Sequence, residues 1–264
     1  MSVPEIVVGD VHGCLQSLSI LFAKIIDRYP ASTIIFTGDL VDRGPDSAGV
    51  IGFVSENART GRVQAVLGNH DEMFLANLIL FQPERSLTSG IPARYVENLL
   101  TNTDRYERSM ISRNWLTQGG NETLESYGAD PGDPRSWIRV PEKHIRFLGS
   151  LPLVWEGSGC IVSHAAADRP SLEAALTAAS PWDIPEKIRT FLLWNRTIPL
   201  HHPHPTKVHI SGHTPRLAPV AFERIDSIQI DTGCVYGNAL TAYCPTDRQF
   251  ISVPCNSPYS SDIQ

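Results

Sequence analysis

The chain has 264 residues, 42% of them hydrophobic, with a formal net charge of −6 and a pI near 5.8. That length and apolar content suit one large α/β core. The acidic balance, with no long run of basic residues, speaks against a nucleic-acid-binding surface, so no DNA binding is expected.

The amino terminus, MSVPEIVVGD, has neither a basic region nor a long apolar stretch. No later apolar run approaches the ~20 residues of a membrane span, so a cytoplasmic protein without a membrane segment is expected. The five cysteines (Cys14, Cys160, Cys234, Cys244, Cys255) are odd in number and widely spaced, without a CxxC pattern. They read as the reduced thiols of a cytosolic protein.

The runs IVV (6–8), TIIF (33–36) and VQAVL (63–67) are short, β-branched and bounded by turn residues, which predicts buried strands. Between them, LQSLSILFAKIIDRY (15–29) and DSAGVIGFVSENAR (46–59) repeat apolar residues at three- and four-residue spacing, as amphipathic helices do. A β-α-β-α-β order implies parallel strands with helices packed on the sheet. From 73 to 150 the texture turns helical, with EMFLANLILF and RYVENLL broken by Pro and Gly, and an aromatic-rich WLTQGGNETLESYG at 115–128. This predicts a helical insertion covering one edge of the site.

IVS (161–163) and VHIS (208–211) are two further strands. After 205, PVAFERI, SIQID, ALTAYC and QFISV alternate with turn residues and predict a second, more antiparallel sheet facing the first. One domain is expected over 1–253, followed by a polar tail, 254–264, that frays. The stretch RTIPLHHPHPT (196–206) carries His201, His202 and His204. These are compatible with a metal site, but Pro-rich exposed loops commonly collect histidines, and the loop reading is preferred.

Five segments join an apolar run to metal-friendly residues: EIVVGDVHG (5–13), TIIFTGDLVDRGP (33–45), QAVLGNHDE (64–72), CIVSHA (160–165) and VHISGHTP (208–215). Ligand crevices of open α/β sheets lie beyond the carboxyl ends of the strands, which would gather Asp10, His12, Asp39, Asn69, His164 and His213. A single Gly-Asp is ordinarily a turn and a single strand-end histidine a hydrogen-bonded core residue. Five such segments in phase with five predicted strands outweigh that reading. Carboxylate, amide and imidazole without thiolate suit two divalent ions, manganese first, with iron or zinc also fitting and magnesium less suited. Asp39, on the second segment, is the natural bridge between them.

GDVHG, GDLVDRG, GNHD, SHA and GHTP, in this order and spacing, resemble the phosphoprotein-phosphatase branch of the calcineurin-like metallophosphoesterases. The resemblance runs from residue 5 to about 243. It takes in WLTQGG (115–120), LLWNR (192–196) and IDTGCVYGNALTAY (230–243), which are similar to bacterial and phage serine/threonine phosphatases. It implies a four-layer α/β/β/α sandwich of two packed mixed sheets flanked by helices. It implies that Asp10 and His12 bind one metal, that Asp39 bridges, and that Asn69, His164 and His213 bind the second. It further implies attack by metal-bound hydroxide, with His70 as general acid oriented by Asp42, and with Arg43, Arg196 and Asn69 on the substrate phosphate. Imidazole suits the acid because its ordinary pKa of ~6.5 lies near working pH, and guanidinium meets phosphate oxygens bidentately.

One position departs from the pattern. Protein phosphatases of this group carry Arg before GNHE, whereas this chain has Leu67 there and Asp71 in place of the Glu. LGNHD is the form of symmetrical diadenosine tetraphosphate hydrolases, while Asp42 and the WNR at 194–196 stand on the monoesterase side. A missing guanidinium removes charge-assisted hydrogen bonds worth about 1.5–3 kcal/mol each. The first expectation is a serine/threonine-type protein phosphatase acting on a phosphorylated protein or a small phosphoester. The alternative is a symmetrical bis(5'-nucleosyl)-tetraphosphatase, or a hydrolase of nucleoside polyphosphates or RNA caps. A catalytically silent metal-binding scaffold, the third reading, is disfavoured by the complete set of ligands, acid and partner.

Overall fold

Short β-branched runs separated by amphipathic segments fold as their periodicities require. The computed structural model describes residues 3–255 and Tyr259. Strands β1 (Glu5–Val8), β2 (Thr33–Phe36) and β3 (Val63–Ala65) pair in parallel, with Ile34 opposite both Ile6 and Val63. The crossovers are α1 (Leu15–Arg28) and α2 (Ser47–Ala58). Helix α1 turns Leu18, Leu21 and Ile25 inward, and α2 starts where the Asp46 carboxylate accepts the Gly49 N–H at 2.7 Å.

Helices α3 (Asn69–Phe81), α4 (Pro83–Thr88), α5 (Ala93–Thr101), α6 (Arg105–Trp115), α7 (Asn121–Ser126) and α8 (Glu142–Gly149) make up the helical insertion. It begins earlier than the sequence texture indicates, because α3 grows directly out of the GNHD segment. Between α6 and α7 lies a wide helical turn, Leu116–Gly120, in which Gly119 has φ 113°. Trp115 and Phe74 stack at 5.6 Å between ring centroids inside a core continuous with that under α1 and α2.

The rest of the chain supplies β4 (Val154–Glu156), β5 (Cys160–Ser163), α9 (Arg169–Thr177), α10 (Glu186–Trp194), β6 (Val208–Ser211), β7 (Val220–Phe222), β8 (Ser227–Gln229), β9 (Ala239–Cys244) and β10 (Gln249–Pro254). The sheets have the orders β10-β9-β1-β2-β3 and β4-β5-β6-β8-β7. The expectation of a second, more antiparallel sheet built from the strands after 205 is corrected in two ways. β9 returns to the first sheet antiparallel to β1, with β10 antiparallel to β9 at the edge, and the second sheet has a parallel centre, β5-β6-β8, with β4 and β7 antiparallel at its edges. β9 is buried almost throughout, so its side-chain pattern leaves its partner undetermined.

Val7, Ile35, Val66, Val162, Ile210 and Ile230 fill the space between the sheets, and helices cover their outer faces, giving the four-layer α/β/β/α sandwich. Each such side chain withdrawn from water contributes about 1.5–3 kcal/mol. At one end of the sandwich the Glu5 carboxylate accepts the Ser158 hydroxyl at 2.8 Å and the Gly159 N–H at 3.0 Å, clasping one sheet to the other.

His204 accepts the N–H groups of Thr206 and Lys207 through Nδ1 and faces Glu156 through Nε2 at 3.3 Å. The histidine-rich stretch is therefore an ordered loop, and among the described residues it forms no metal-ligand cluster. β10 runs through Pro254 and Cys255 is buried, so the expected tail starts later than 254; residues 256–258 and 260–264 of it lie outside the described residues. Among the described residues no helix is long and apolar enough to cross a membrane.

Candidate active site

The parallel strands of both sheets end on the same side, so the loops after β1, β2, β3, β5 and β6 meet there. Asp10, after β1, accepts the Thr37 hydroxyl at 2.7 Å on one oxygen and the His213 N–H at 2.8 Å on the other. It thereby joins the two sheets. Gly212 lies against that carboxylate, and a Cβ there would overlap Asp10 Oδ1. His12 Nδ1–H donates to the Val41 carbonyl and His164 Nδ1–H to the Thr37 carbonyl, each at 2.8 Å. Both rings therefore turn an Nε2 lone pair inward.

Asp39 offers one oxygen to each ring: Oδ2 lies 3.4 Å from His12 Nε2 and Oδ1 lies 3.4 Å from His164 Nε2. Asn69 Oδ1 lies 2.8 Å from His164 Nε2 and 2.9 Å from His213 Nδ1. All six side chains named from the strand ends are thus in one place, and none is more than 7% exposed.

These donors fit metal ions. Lone pairs of His164, Asn69 and Asp39 point at one another, an arrangement that is repulsive without a cation among them. Near His12 a cation already contributes, since Arg43 Nη1 sits 2.7 Å from Nε2. Burial, with repulsion from Asp231 and Asp39, pushes the Asp10 carboxyl above its ordinary range, and burial with repulsion from Asp71 does the same to Asp39. Burial also pushes His12 and His164 down and brings His213 to about 4, leaving neutral imidazoles, the form that ligates metals.

The backbone here is strained. Of the seven non-glycine residues with positive φ among the described residues, five belong to the site: His12 (44°), Asp39 (49°), Asp42 (73°), Arg43 (70°) and His213 (67°). Each such residue costs about 1–3 kcal/mol, held by the surrounding packing.

His70, in the first turn of α3, lies 2.7 Å through Nδ1 from Asp42 Oδ2, so this N–H donates to the carboxylate. The insertion grips Asp42 from behind. Thr123 Oγ1 donates to Oδ1 at 2.7 Å, and Trp115 Nε1 donates to the carboxylate at 3.0 and 3.2 Å. The Gly119 carbonyl accepts the Arg43 N–H at 3.2 Å, an approach a side chain at 119 would block. Asp71 accepts the N–H groups of Leu40 and Gly68, each at 3.0 Å, tying the start of α3 to the loop after β2. Leu67 is fully buried in the helix-side core and does not border the pocket.

The model of the calcineurin-like phosphoesterase family matches residues 4–225. The chain belongs to the calcineurin-like phosphoesterase family. It is a hydrolase of phosphoesters. A PrpE bis(5'-nucleosyl)-tetraphosphatase, asymmetrical, from Bacillus velezensis is 26% identical, covering 97% of this chain and 94% of the relative. A symmetrical bis(5'-nucleosyl)-tetraphosphatase from Janthinobacterium sp. (strain Marseille) is 27% identical, covering 94% and 95%. Two solved structures share the fold, each with a TM-score of 0.53. One is a putative diadenosine tetraphosphatase, 22% identical over 96% of this chain and 94% of that one. The other is a protein serine/threonine phosphatase from Saccharomyces cerevisiae, 14% identical over 97% and 80%.

The mouth of the phosphoesterase site is a narrow pocket of about 30 Å³, bordered by Asp39, Arg43, Asn69, His70, Arg196 and His213 together with Gln118, Trp194, Asp231 and Tyr236. Arg196 is presented by a loop that Asn195 fastens to the Ala166 carbonyl at 2.6 Å. The last four residues carry no role in the sequence reading, although all four lie in WLTQGG, LLWNR and IDTGCVYGNALTAY and so had a visible signal. Asp231 accepts the Gly233 N–H at 3.0 Å, and burial brings its carboxyl up to about 6. A larger cavity of about 400 Å³, bordered by Val208, Tyr243 and Arg248, opens at the opposite ends of the strands and contains none of these groups.

Proposed function

We propose that this phosphoesterase hydrolyses dinucleoside polyphosphates, cutting a phosphoanhydride bond between two nucleosides. The observation that carries the reading is the rim of the pocket. Trp194 stays 38% exposed two residues from Arg196, and the Arg43 guanidinium lies 5.8 Å from the centroid of the Tyr236 ring. Aromatic surface beside two guanidinium groups suits a base attached to a phosphate chain. A base stacked on such a ring gains about 1–3 kcal/mol. Leu67 adds support, because the guanidinium of the protein phosphatases is replaced by a core side chain. The tetraphosphatase relatives, which span nearly the whole chain, favour this reading over the serine/threonine phosphatase expected first.

In this proposal Asp10 and His12 hold one divalent ion, Asn69, His164 and His213 hold another, and Asp39 is shared; Mn2+ suits the mixed oxygen and nitrogen donors. When bound, the ions supply Lewis acidity at the phosphoryl oxygens and acidify water. The chain's own residues do the rest. Arg43 and Arg196 orient the phosphoryl group, with Asn69 beside them. His70 delivers a proton to the leaving oxygen from Nε2, and Asp42 fixes its ring through Nδ1.

The test is a comparison, with Mn2+, of diadenosine tetraphosphate and a phosphoserine peptide. The expected result is a higher kcat/KM on the dinucleotide, with chromatography separating central cleavage (two ADP) from off-centre cleavage (ATP and AMP). A higher kcat/KM on the phosphopeptide would overturn the proposal.

A further inference from the structure

In a core, cysteines serve as small hydrophobes and their sulfurs have no reason to seek one another. Three of the five here do meet. Cys14, at the start of α1, Cys234, in the turn after Asp231, and Cys255, just past β10, come from distant parts of the chain. Their sulfurs lie within 4.8 Å of one another, and none of the three residues is more than 7% exposed. The Cys14 thiol also donates to the His12 carbonyl at 3.5 Å, which ties the cluster to the loop after β1. The Tyr259 backbone N–H donates to the Val235 carbonyl at 2.9 Å.

We infer that Cys14, Cys234 and Cys255 form a binding site for one thiophilic metal ion, Zn2+ or Cu+. Metal–sulfur bonds of about 2.3 Å place three sulfurs around one ion about 4 Å apart, so the cluster needs at most a slight contraction. Up to three thiols release protons to solvent as the metal–sulfur bonds form, and no oxidation state changes. Soft sulfur donors favour thiophilic ions over Mn2+, which suits the mixed oxygen and nitrogen donors of the active site, so a chain preloaded with Mn2+ can hold both kinds apart. An ion here would pin the loop carrying His12, two residues before Cys14, to the turn carrying Asp231 and to the end of β10. It would thereby brace the phosphoesterase site without touching substrate.

The test uses the full chain preloaded with Mn2+, titrated separately with Cd2+, as a spectroscopic substitute for Zn2+, and with Cu+ under anaerobic conditions. A sulfur-to-metal charge-transfer absorption saturating at one ion per chain is expected in at least one titration, and the responding arm assigns the ion. C234A and C255A should abolish the band while C160A and C244A retain it. X-ray absorption of the wild-type protein loaded with Zn2+ or Cu+, which needs no variant, should show sulfur neighbours at about 2.3 Å. No band in either arm, a band that survives in folded C234A and C255A, or only nitrogen and oxygen neighbours would overturn the inference.

Discussion

Thr123 is the sharpest point at which to perturb the proposed acid, His70, through its partner Asp42. Its hydroxyl donates to Asp42 Oδ1 at 2.7 Å and accepts the Asp42 N–H at 2.9 Å, and both residues are fully buried. Thr123→Val keeps the shape and removes the hydroxyl. The bond to a carboxylate contributes about 1.5–3 kcal/mol. The Asp42 N–H is not stranded, because Ser47 Oγ remains 3.1 Å away, so the second loss is small. At about 2–4 °C per kcal/mol for a chain near this size, the melting temperature should fall by about 3–12 °C. With one fewer donor holding Asp42, turnover of substrates with poor leaving groups should fall while metal content stays unchanged. Thr123→Ser, which keeps the hydroxyl, should recover most of both. Thermal unfolding, elemental analysis and steady-state rates on alkyl and aryl phosphates decide the matter. A Thr123→Val protein with wild-type melting and wild-type rates would refute the reasoning.

His70→Asn should lower kcat on alkyl phosphates by about 10²–10⁴ and much less on a phosphoanhydride, whose leaving group needs little protonation; equal losses on both would remove His70 from the acid's role. Leu67→Arg, the change that imitates the protein phosphatases, should destabilise the fold by several kcal/mol, because it exchanges a buried Leu for a charge among apolar side chains. Denaturant unfolding checks this, and an equally stable variant would show that the side chain at 67 can reach the pocket. Acid should weaken the fold through His209, which is fully buried between the hydroxyls of Ser163 and Ser227 and is brought down to about 4 by burial. The unfolded chain binds this proton below about 6.5 and the folded one only below about 4, so stability is complete at neutral pH and falls through that window, by about 2–3 kcal/mol at pH 4.5. Comparing denaturant curves at pH 7 and 4.5, His209→Gln should lose less than wild type by about that amount.

Much of the site was legible in the sequence because its residues sit at strand ends, where an apolar run followed by Gly-Asp or a histidine is a local pattern. TIIF and VHIS form strands with the boundaries read from their composition. What was not legible is what the site leans on. Trp115 and Thr123 lie 73 and 81 positions from Asp42, and no local periodicity announces a hydrogen bond across that distance. The allegiance of β9 was hidden for a related reason, since a strand buried on both faces pairs equally well with either sheet. Asp71 was visible as a departure, but only its bonds to Leu40 and Gly68 show that the carboxylate fastens α3 in place.

The left-handed backbone at His12, Asp39, Asp42, Arg43 and His213 bears on how the protein can be engineered. Glycine at any of these positions relaxes the chain, so a laboratory selection that rewards heat resistance alone is drawn toward the residues proposed to hold the metals, the phosphate and the acid. Libraries aimed at a hardier enzyme should therefore hold these five codons fixed and seek their gains at the far end of the sandwich, around the Glu5 clasp.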